Sequence, residues 1–272
     1  MILEPSRESS RKSLRVTLVQ AELAWHDAAA NRRTFERLLA PLAGQTDLVV
    51  LPEMFTTGFT MAPQSAAEPA GGPSVEWLRV MAARLGAVVT GSIATRDGGS
   101  YFNRLTWMRP DGSSAAYDKR HLFRMAHEDE HYASGATQLV TQIDGWRIRP
   151  LVCYDLRFPV WSRNRVGTAG EYDVLVYVAN WPERRRYAWQ TLLRARAIEN
   201  LCYCIGVNRV GRDANDIHYK GDSAAIDFLG QPLGPATEHE FVATVTLERA
   251  ALQAFRSKFP AHLDTDRFEL QC

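Results

Sequence analysis

The segment Asp47-Leu48-Val49-Val50-Leu51-Pro52-Glu53 decides the fold class, because its aliphatic residues run together without a polar face. A short apolar run of this kind is typical of a strand that is covered on both sides. Residues 172–179, Tyr-Asp-Val-Leu-Val-Tyr-Val-Ala, repeat the pattern further along the chain. Strands covered on both sides need helices or a second sheet above and below them. The two runs therefore indicate a layered α/β fold.

Helical patterns alternate with these runs. Asp27 is a suitable N-cap for a helix that buries Phe35 and Leu39, and Ser74 is predicted to cap a second helix that stops at Gly86. A third helix is predicted over residues 186–200, with Trp189 and Leu193 on its apolar stripe. These helices favour a single α/β domain rather than separate α and β regions.

Strand patterns also include a hairpin. Residues 101–109 and 113–119 alternate around Pro110-Asp111-Gly112, which is a turn sequence. The hairpin makes the predicted sheet mixed rather than purely parallel. No repeat or linker divides the chain, so we expect a disordered extension over residues 1–13 and one domain over residues 14–272 that ends in a C-terminal tail.

Composition restricts the functional classes. The chain has 272 residues with 46% hydrophobic and 23% charged residues, which suits a soluble protein with a substantial core. A net charge of +1 favours neither nucleic acid nor an anionic membrane as a partner. The four cysteines have no framework spacing, and no apolar run approaches the roughly 18 residues that span a bilayer. We expect a cytoplasmic protein with reduced thiols.

The local cluster Arg184-Arg185-Arg186 is interpreted as a solvated face.

Three reactive residues stand where predicted strands end: Glu53, Lys119 and Cys153. Functional residues of α/β folds gather at the carboxyl ends of strands. A cysteine nucleophile needs a base, and Glu53 could take the thiol proton and later activate water. Lys119 could stabilise the oxyanion that forms during attack. A lone cysteine at a strand end is usually a core residue and a lysine there is usually solvated, whereas Glu53 is less easily explained, because burying an unpaired carboxylate is costly. Together the three make a nucleophilic mechanism that needs no histidine.

Residues 127–131 read His-Glu-Asp-Glu-His and match the H-E-x-x-H pattern of zinc metalloproteases. That pattern binds zinc only on a helix, where both histidines share one face. The surrounding sequence has no long apolar stripe and no evident third ligand. We therefore predict neither a metal site nor any other cofactor.

The segments LPEMFTTGF, YDKRHLF, LVCYDLRFP and VANWP occur in this order and resemble the nitrilase superfamily of carbon–nitrogen hydrolases. The resemblance runs from about Leu14 to Phe259. Within the family, the set EMFTTGF, KRHLFRM, NWP, RARAIEN and YKGDS is most similar to the omega-amidase branch. That branch hydrolyses the terminal amide of short 2-oxo dicarboxylic acid monoamides such as 2-oxoglutaramate and 2-oxosuccinamate, so a small-molecule amide is the expected substrate.

The resemblance implies an α-β-β-α sandwich, a homodimer and a Glu-Lys-Cys triad made of Glu53, Lys119 and Cys153. It also implies a second glutamate in the loop that holds HEDEH, which helps to position substrate and lysine. Glu128 fits that position by its spacing to Gly135, and Glu130 is the alternative.

Substrate recognition rests on residues near these motifs. A free carboxylate favours a planar arginine, and Arg157 could bind it or could support the nucleophile turn through an ion pair. Phe59, Tyr154 and Trp181 are expected to contact substrate, and Phe55 could also wall the pocket.

Three other functions stay open. The first is a related amidase that acts on deaminated glutathione or an N-carbamoyl compound. The second is a catalytically inactive scaffold of the same fold, against which the intact triad argues. The third is a Cys–His protease, which would need a histidine base that no motif supplies.

Overall fold

The computed structural model describes residues 11–235, 237–266 and 268–270. Fourteen strands lie in these ranges: β1 Ser13–Gln20, β2 Leu48–Val50, β3 Glu68–Pro69, β4 Val88–Asp97, β5 Ser100–Met108, β6 Ser114–Asp118, β7 Thr141–Ile143, β8 Trp146–Val152, β9 Val174–Ala179, β10 Tyr203–Asn208, β11 Val210–Arg212, β12 His218–Lys220, β13 Ala224–Ile226 and β14 Phe241–Glu248.

Seven α-helices accompany the strands: α1 Ala28–Leu39, α2 Pro63–Ala66, α3 Pro73–Leu85, α4 Glu128–His131, α5 Pro159–Ser162, α6 Arg186–Asn200 and α7 Arg249–Lys258. Short 3₁₀ helices cover Ala40–Leu42, Arg124–Ala126, Cys153–Arg157, Glu183–Arg185 and Ala261–Asp264. No helix in the described ranges is long and apolar enough to cross a membrane.

Twelve of these strands form two mixed sheets, and β11 and β12 form a separate two-stranded antiparallel sheet. One has seven strands in the order β14-β1-β2-β4-β5-β6, with β3 beside β4, and the other has five in the order β13-β10-β9-β8-β7. Strands β1, β2 and β4 are parallel, as are β8, β9 and β10, whereas the hairpins are antiparallel. Strand β14 pairs with β1 along its whole length, so segments that are far apart in the chain share one ladder. The mixed α/β prediction is confirmed.

Alternation along β1 shows how the layers form. Leu14, Val16 and Leu18 are buried in the core that includes the five-stranded sheet, whereas Val19 belongs to the cluster that packs against α1 and α3. On the opposite side, Leu193 of α6 packs on Gly206 of β10, where a Cβ would approach within 2.5 Å of Leu193. Helices therefore cover the outer faces of two stacked sheets, which is the expected α-β-β-α arrangement.

Two of the three helix-end residues predicted from sequence act as expected in the structure. Asp27 accepts a hydrogen bond from the Ala30 N–H at 2.8 Å, and Gly86 ends α3 with φ of 64°, as expected. The prediction that Ser74 caps α3 is wrong, because the cap is Gly72 and the helix starts with Pro73. The buried Ser74 hydroxyl instead donates to Glu68 Oε1 at 2.6 Å.

The predicted disordered extension over residues 1–13 falls mostly outside the described residues. Its last three residues correct the boundary. Arg11 donates its backbone N–H to the Asp144 carbonyl at 3.1 Å and pairs with Asp47 at 2.5 Å. Ser13 is already the first residue of β1. The folded part therefore includes Arg11.

Candidate active site

The carboxyl ends of strands from both sheets meet at one place. Glu53 lies three residues after β2, Lys119 follows β6 directly, and Cys153 follows β8 directly. Asn180 follows β9 in the same way. The three residues predicted to form the triad are thus brought together by the stacking of the sheets, and all are buried.

Lys119 lies between two carboxylates. Its Nζ donates to Glu53 Oε1 at 2.9 Å and to Glu128 Oε2 at 2.8 Å, and none of the three side chains is exposed. The structure therefore places Glu128 beside the triad. Glu130 is exposed, and its Oε1 contacts His127 Nδ1 at 2.9 Å, away from the lysine.

Two asparagines hold Glu53 in place. Asn103 Nδ2 donates to Glu53 Oε1 at 2.8 Å and to Glu128 Oε1 at 3.2 Å. The Asn180 N–H donates to Glu53 Oε2 at 2.8 Å, while its Nδ2 donates to the Glu53 carbonyl. Sequence reasoning missed Asn103, which lies inside β5 where alternation gave no sign of a functional role. Asn180 lies in the VANWP motif and directly after a predicted strand, so its role could have been predicted from its position at a strand end.

Cys153 sits on a sharp turn. Its φ is +44°, a left-handed conformation that non-glycine residues adopt only when the surroundings hold them there. Asp155 supplies that support, because its Oδ2 accepts from the Val152 N–H at 3.1 Å and from the Tyr117 hydroxyl at 2.7 Å. Its Oδ1 lies 2.8 Å from His121 Nδ1 and accepts from the His121 N–H at 3.0 Å. Arg196 also donates to the Leu156 carbonyl at 2.7 Å.

The surroundings keep the Cys153 thiol protonated at rest. Burial raises the pKa of the thiol well above its ordinary value, and the charge of the Glu53 carboxylate raises it further. The positive charge of Lys119 lowers the pKa, but by less than burial and Glu53 raise it. A thiol in this state reacts only when a base removes its proton, and the charge that Cys153 senses most strongly after its burial is the Glu53 carboxylate.

Lys119 stays a cation despite its complete burial. Burial alone would lower its pKa, but the charges of Glu128 and Glu53 raise the pKa above the usual value. Burial and the repulsion by Glu53 raise the pKa of Glu128, while Lys119 partly offsets them. The lysine is therefore a fixed positive charge that acts on the Cys153 thiol and is held by two carboxylates.

The HEDEH segment does not have the geometry of a zinc helix. Helix α4 begins at Glu128 and has four residues, and His127 lies before it with φ of +59°. His127 and His131 are thus not one turn apart on a helix, and Glu128 is already engaged with Lys119. Among the described residues, no group of three or more His, Cys, Asp or Glu side chains could hold a metal ion.

A cavity of about 480 Å³ opens above the Cys153 thiol. Four residues predicted to contact substrate, Phe59, Tyr154, Arg157 and Trp181, all line it. The suggestion that Phe55 walls the pocket is wrong, because its ring packs inside the core against Phe35 at 5.6 Å and Trp77 at 5.7 Å.

Two interpretations of arginines change with the structure: the ion pair of Arg157 and the solvated face of Arg184-Arg185-Arg186. Arg157 is exposed and lies 5.0 Å from the Trp181 ring, and it forms no ion pair within the described residues, so the ion-pair alternative finds no support. In the cluster interpreted as a solvated face, Arg186 instead pairs with Asp222 and Glu238 at 2.7 Å each. Arg184 and Arg185 line the cavity. The predicted helix start at this cluster is confirmed, but spacing alone could not show that it lies at a cavity.

Comparison with known proteins agrees with this geometry. Residues 15–257 match the carbon-nitrogen hydrolase family. The chain is 48% identical to an omega-amidase, YafV, of Yersinia enterocolitica over 95% of this chain and 99% of that protein. It is 29% identical to a 2-oxoglutaramate amidase of Bacillus subtilis over 92% of this chain and 96% of that protein.

A solved structure extends the likeness to the whole fold. XC1258 of Xanthomonas campestris, a CN-hydrolase superfamily protein with an arsenic adduct in its active site, superimposes with a TM-score of 0.93 at 55% identity. The match covers 95% of this chain and 99% of that one. The resemblance noted in the sequence motifs is confirmed, and the chain belongs to the carbon-nitrogen hydrolase family.

Proposed function

We propose that the protein is an omega-amidase that hydrolyses the terminal amide of short 2-oxo dicarboxylic acid monoamides, such as 2-oxoglutaramate and 2-oxosuccinamate, through a cysteine acyl-enzyme. Family membership makes it an amide-hydrolysing enzyme. The observation that carries the proposal is the buried Cys153 thiol, which senses the charges of the ion pair between Glu53 and Lys119 and lines a cavity of about 480 Å³. Similarity to an omega-amidase and to a 2-oxoglutaramate amidase supports the substrate class.

The first half of the reaction forms the acyl-enzyme. Glu53 takes the proton from the Cys153 thiol as the sulfur attacks the amide carbon, which makes a tetrahedral oxyanion. Lys119 stabilises this oxyanion with a charge that is already fixed before the reaction starts. Glu53 then gives its proton to the amide nitrogen, the C–N bond breaks, ammonia leaves and a thioester remains.

The second half restores the enzyme. Glu53 takes a proton from a water molecule, whose oxygen attacks the thioester carbon, and Lys119 again stabilises the oxyanion. The C–S bond breaks, the sulfur regains a proton from Glu53, and the dicarboxylate leaves. One water is consumed, and one amide becomes a carboxylate and ammonia. Glu128 keeps Lys119 oriented and reacts with nothing.

A direct test measures ammonia release from 2-oxoglutaramate by the purified protein. Deaminated glutathione and an N-carbamoyl compound represent the related amidases and are tested in parallel by release of their amine products, because hydrolysis of deaminated glutathione yields no ammonia. We expect 2-oxoglutaramate to be preferred, and a preference for either of the other compounds would refute the substrate assignment.

Matched cysteine variants test the covalent step. Cys153→Ala should release no ammonia, whereas Cys204→Ala should retain turnover because Cys204 is buried in β10. Acid quenching during turnover should trap a mass increase on the peptide that contains Cys153. Turnover by Cys153→Ala at the wild-type rate would exclude the acyl-enzyme.

A further inference from the structure

Arg185, which lines the cavity, has a buried N–H donor without a hydrogen-bond acceptor among the described residues. The donor is Nη1 of the Arg185 guanidinium. The rest of its guanidinium is held in place, since Nη2 contacts Met125 Sδ at 2.8 Å and the group lies 5.0 Å from the Phe123 ring. Leaving such a donor unpaired costs free energy, so a ligand that accepts from it is favoured.

No carboxylate of the cavity neutralises this arginine. Asp213 is the acidic residue of the cavity lining, but its Oδ1 accepts from the N–H groups of Asn215 and Ile217. Its Oδ2 accepts from the Tyr219 hydroxyl at 2.9 Å. Glu53 and Glu128 are engaged with Lys119. The free charge on this wall is therefore positive.

Neighbouring positive charges strengthen the effect. Burial and the charges of Arg184 and Arg157 lower the pKa of Arg185, so both neighbouring cations disfavour its charged form. Arg185 immediately precedes α6, whose N-terminus adds a partial positive charge. The Trp181 Nε1–H donates to the Arg185 carbonyl at 2.9 Å and fixes this backbone beside the ring on which Arg157 stacks. An anion bound here would relieve the repulsion.

We infer that Arg185 binds the carboxylate at the end of the acyl chain that is remote from the amide, with Arg157 as a second donor. The enzyme would then select amides whose acyl chain ends in an anion over neutral amides of equal length. This inference rests on the proposed function, since it presumes that the acyl group is attached to Cys153 during the reaction. Arginine suits the role because its planar group can bind both oxygens of a carboxylate.

Paired substrates separate binding of the carboxylate from a structural role. Glutaramate and glutaramide differ only in whether the remote end is a carboxylate or a neutral amide. For Arg185→Gln we expect kcat/KM on glutaramate to fall by about 10- to 100-fold, mainly through KM, as for a lost charge-assisted hydrogen bond. Activity on glutaramide should change little. Arg185→Lys should recover part of the loss.

Charge controls complete the design. Arg37→Gln removes an exposed arginine of α1, remote from the cavity lining, and should leave both substrates unaffected. Arg184→Gln removes an exposed neighbour and should lower glutaramate activity less than Arg185→Gln does. Equal losses on both substrates, or no loss on either, would overturn the inference.

A binding experiment tests the carboxylate site at Arg185 independently of the proposed function. Wild-type protein that releases ammonia from none of the amides refutes the function, but calorimetric titration of the Cys153→Ala protein with glutarate still tests the anion site. The dissociation constant should rise at least about tenfold when Arg185→Gln is added. An unchanged constant, or no binding of glutarate by Cys153→Ala, would overturn the inference.

Discussion

Lys119 Nζ lies 2.8 Å from Oε2 of Glu128, and neither side chain is exposed to solvent. Breaking a buried pair by removing one partner leaves an uncompensated charge, which is strongly destabilising. Here Glu53 is a second anion for the lysine, so the loss of Glu128 leaves a paired cation in a changed position. The relationship supports the proposed positioning role of Glu128, as distinct from the proton transfer proposed for Glu53.

The first prediction concerns the two glutamates of HEDEH. Glu128→Gln retains an acceptor for Lys119 and should lower single-turnover rates less than Glu128→Ala does. Glu130→Ala should have the mildest effect, because Glu130 is exposed and contacts only His127. An inactive Glu130→Ala beside an active Glu128→Ala would show that the wrong glutamate has been assigned.

Glu53→Gln tests the assigned base. The variant keeps the shape of the side chain and can still accept from Lys119, but it cannot take the thiol proton. We expect the single-turnover rate to fall by about 10²–10⁴-fold, the range for a lost general base. Thermal unfolding of the variant serves as the folding control. A folded Glu53→Gln protein that reacts at the wild-type rate would rule out Glu53 as the base.

The raised pKa of the Cys153 thiol predicts when a thiolate forms. Burial and the Glu53 charge disfavour the anion, so the thiolate fraction at any given pH is lower than that of a free thiol with a pKa of 9.0. The ultraviolet thiolate absorbance of wild-type protein, minus that of Cys153→Ala, should show no step at or below pH 9. A step near neutral pH would mean that the resting nucleophile is already ionised.

Asp155→Asn is expected to weaken both fold and catalysis. An amide at this position cannot accept from the Val152 N–H, the Tyr117 hydroxyl and the His121 N–H together, so at least one buried donor loses its partner. The expected cost is about 1–3 kcal/mol for each unsatisfied donor. Chemical denaturation should show this loss, and kcat should fall because the Cys153 turn loses its support. Asp264→Asn, an exposed change, is the control, and equal stability of the two variants would contradict the assignment.

Removal of metal should leave the reaction unaffected. The nucleophile, base and oxyanion donor are side chains, and His127 lies outside the four-residue helix that would have to present a zinc ligand. Exhaustive dialysis against EDTA should not change ammonia release. Activity that disappears and returns only with added zinc would restore the metalloprotease interpretation of HEDEH.

Buried strands and strand-end residues were predictable from sequence, because burial on both faces leaves an uninterrupted aliphatic run. Asp27 and Gly86 also acted as expected, since each signal is local to its helix end. Ser74 failed as a cap because Glu68, a residue from another element, competes for its hydroxyl. Local propensity predicts an element well only where no tertiary partner intervenes.

The environment of the site was less predictable than its reactive residues. Asn103 lies in the middle of a strand, and it becomes important only because Glu53 and Glu128 arrive from other parts of the chain. The position of Arg185 in the cavity wall was equally unpredictable, since a cluster of arginines in sequence does not show which of them faces a cavity. Contacts between distant segments carry this information, and no spacing pattern records it.

The pairing of β1 with β14 has a consequence for synthesis on the ribosome. One long edge of β1 lacks hydrogen-bond partners until residues 241–248 have emerged and folded against it. During that interval the exposed edge is a template for pairing with another chain. Because pairing between remote segments also slows folding, the nascent protein depends on the late arrival of β14 to avoid aggregation. A substitution that weakens this ladder would therefore lower the yield of folded protein before it altered any rate of catalysis.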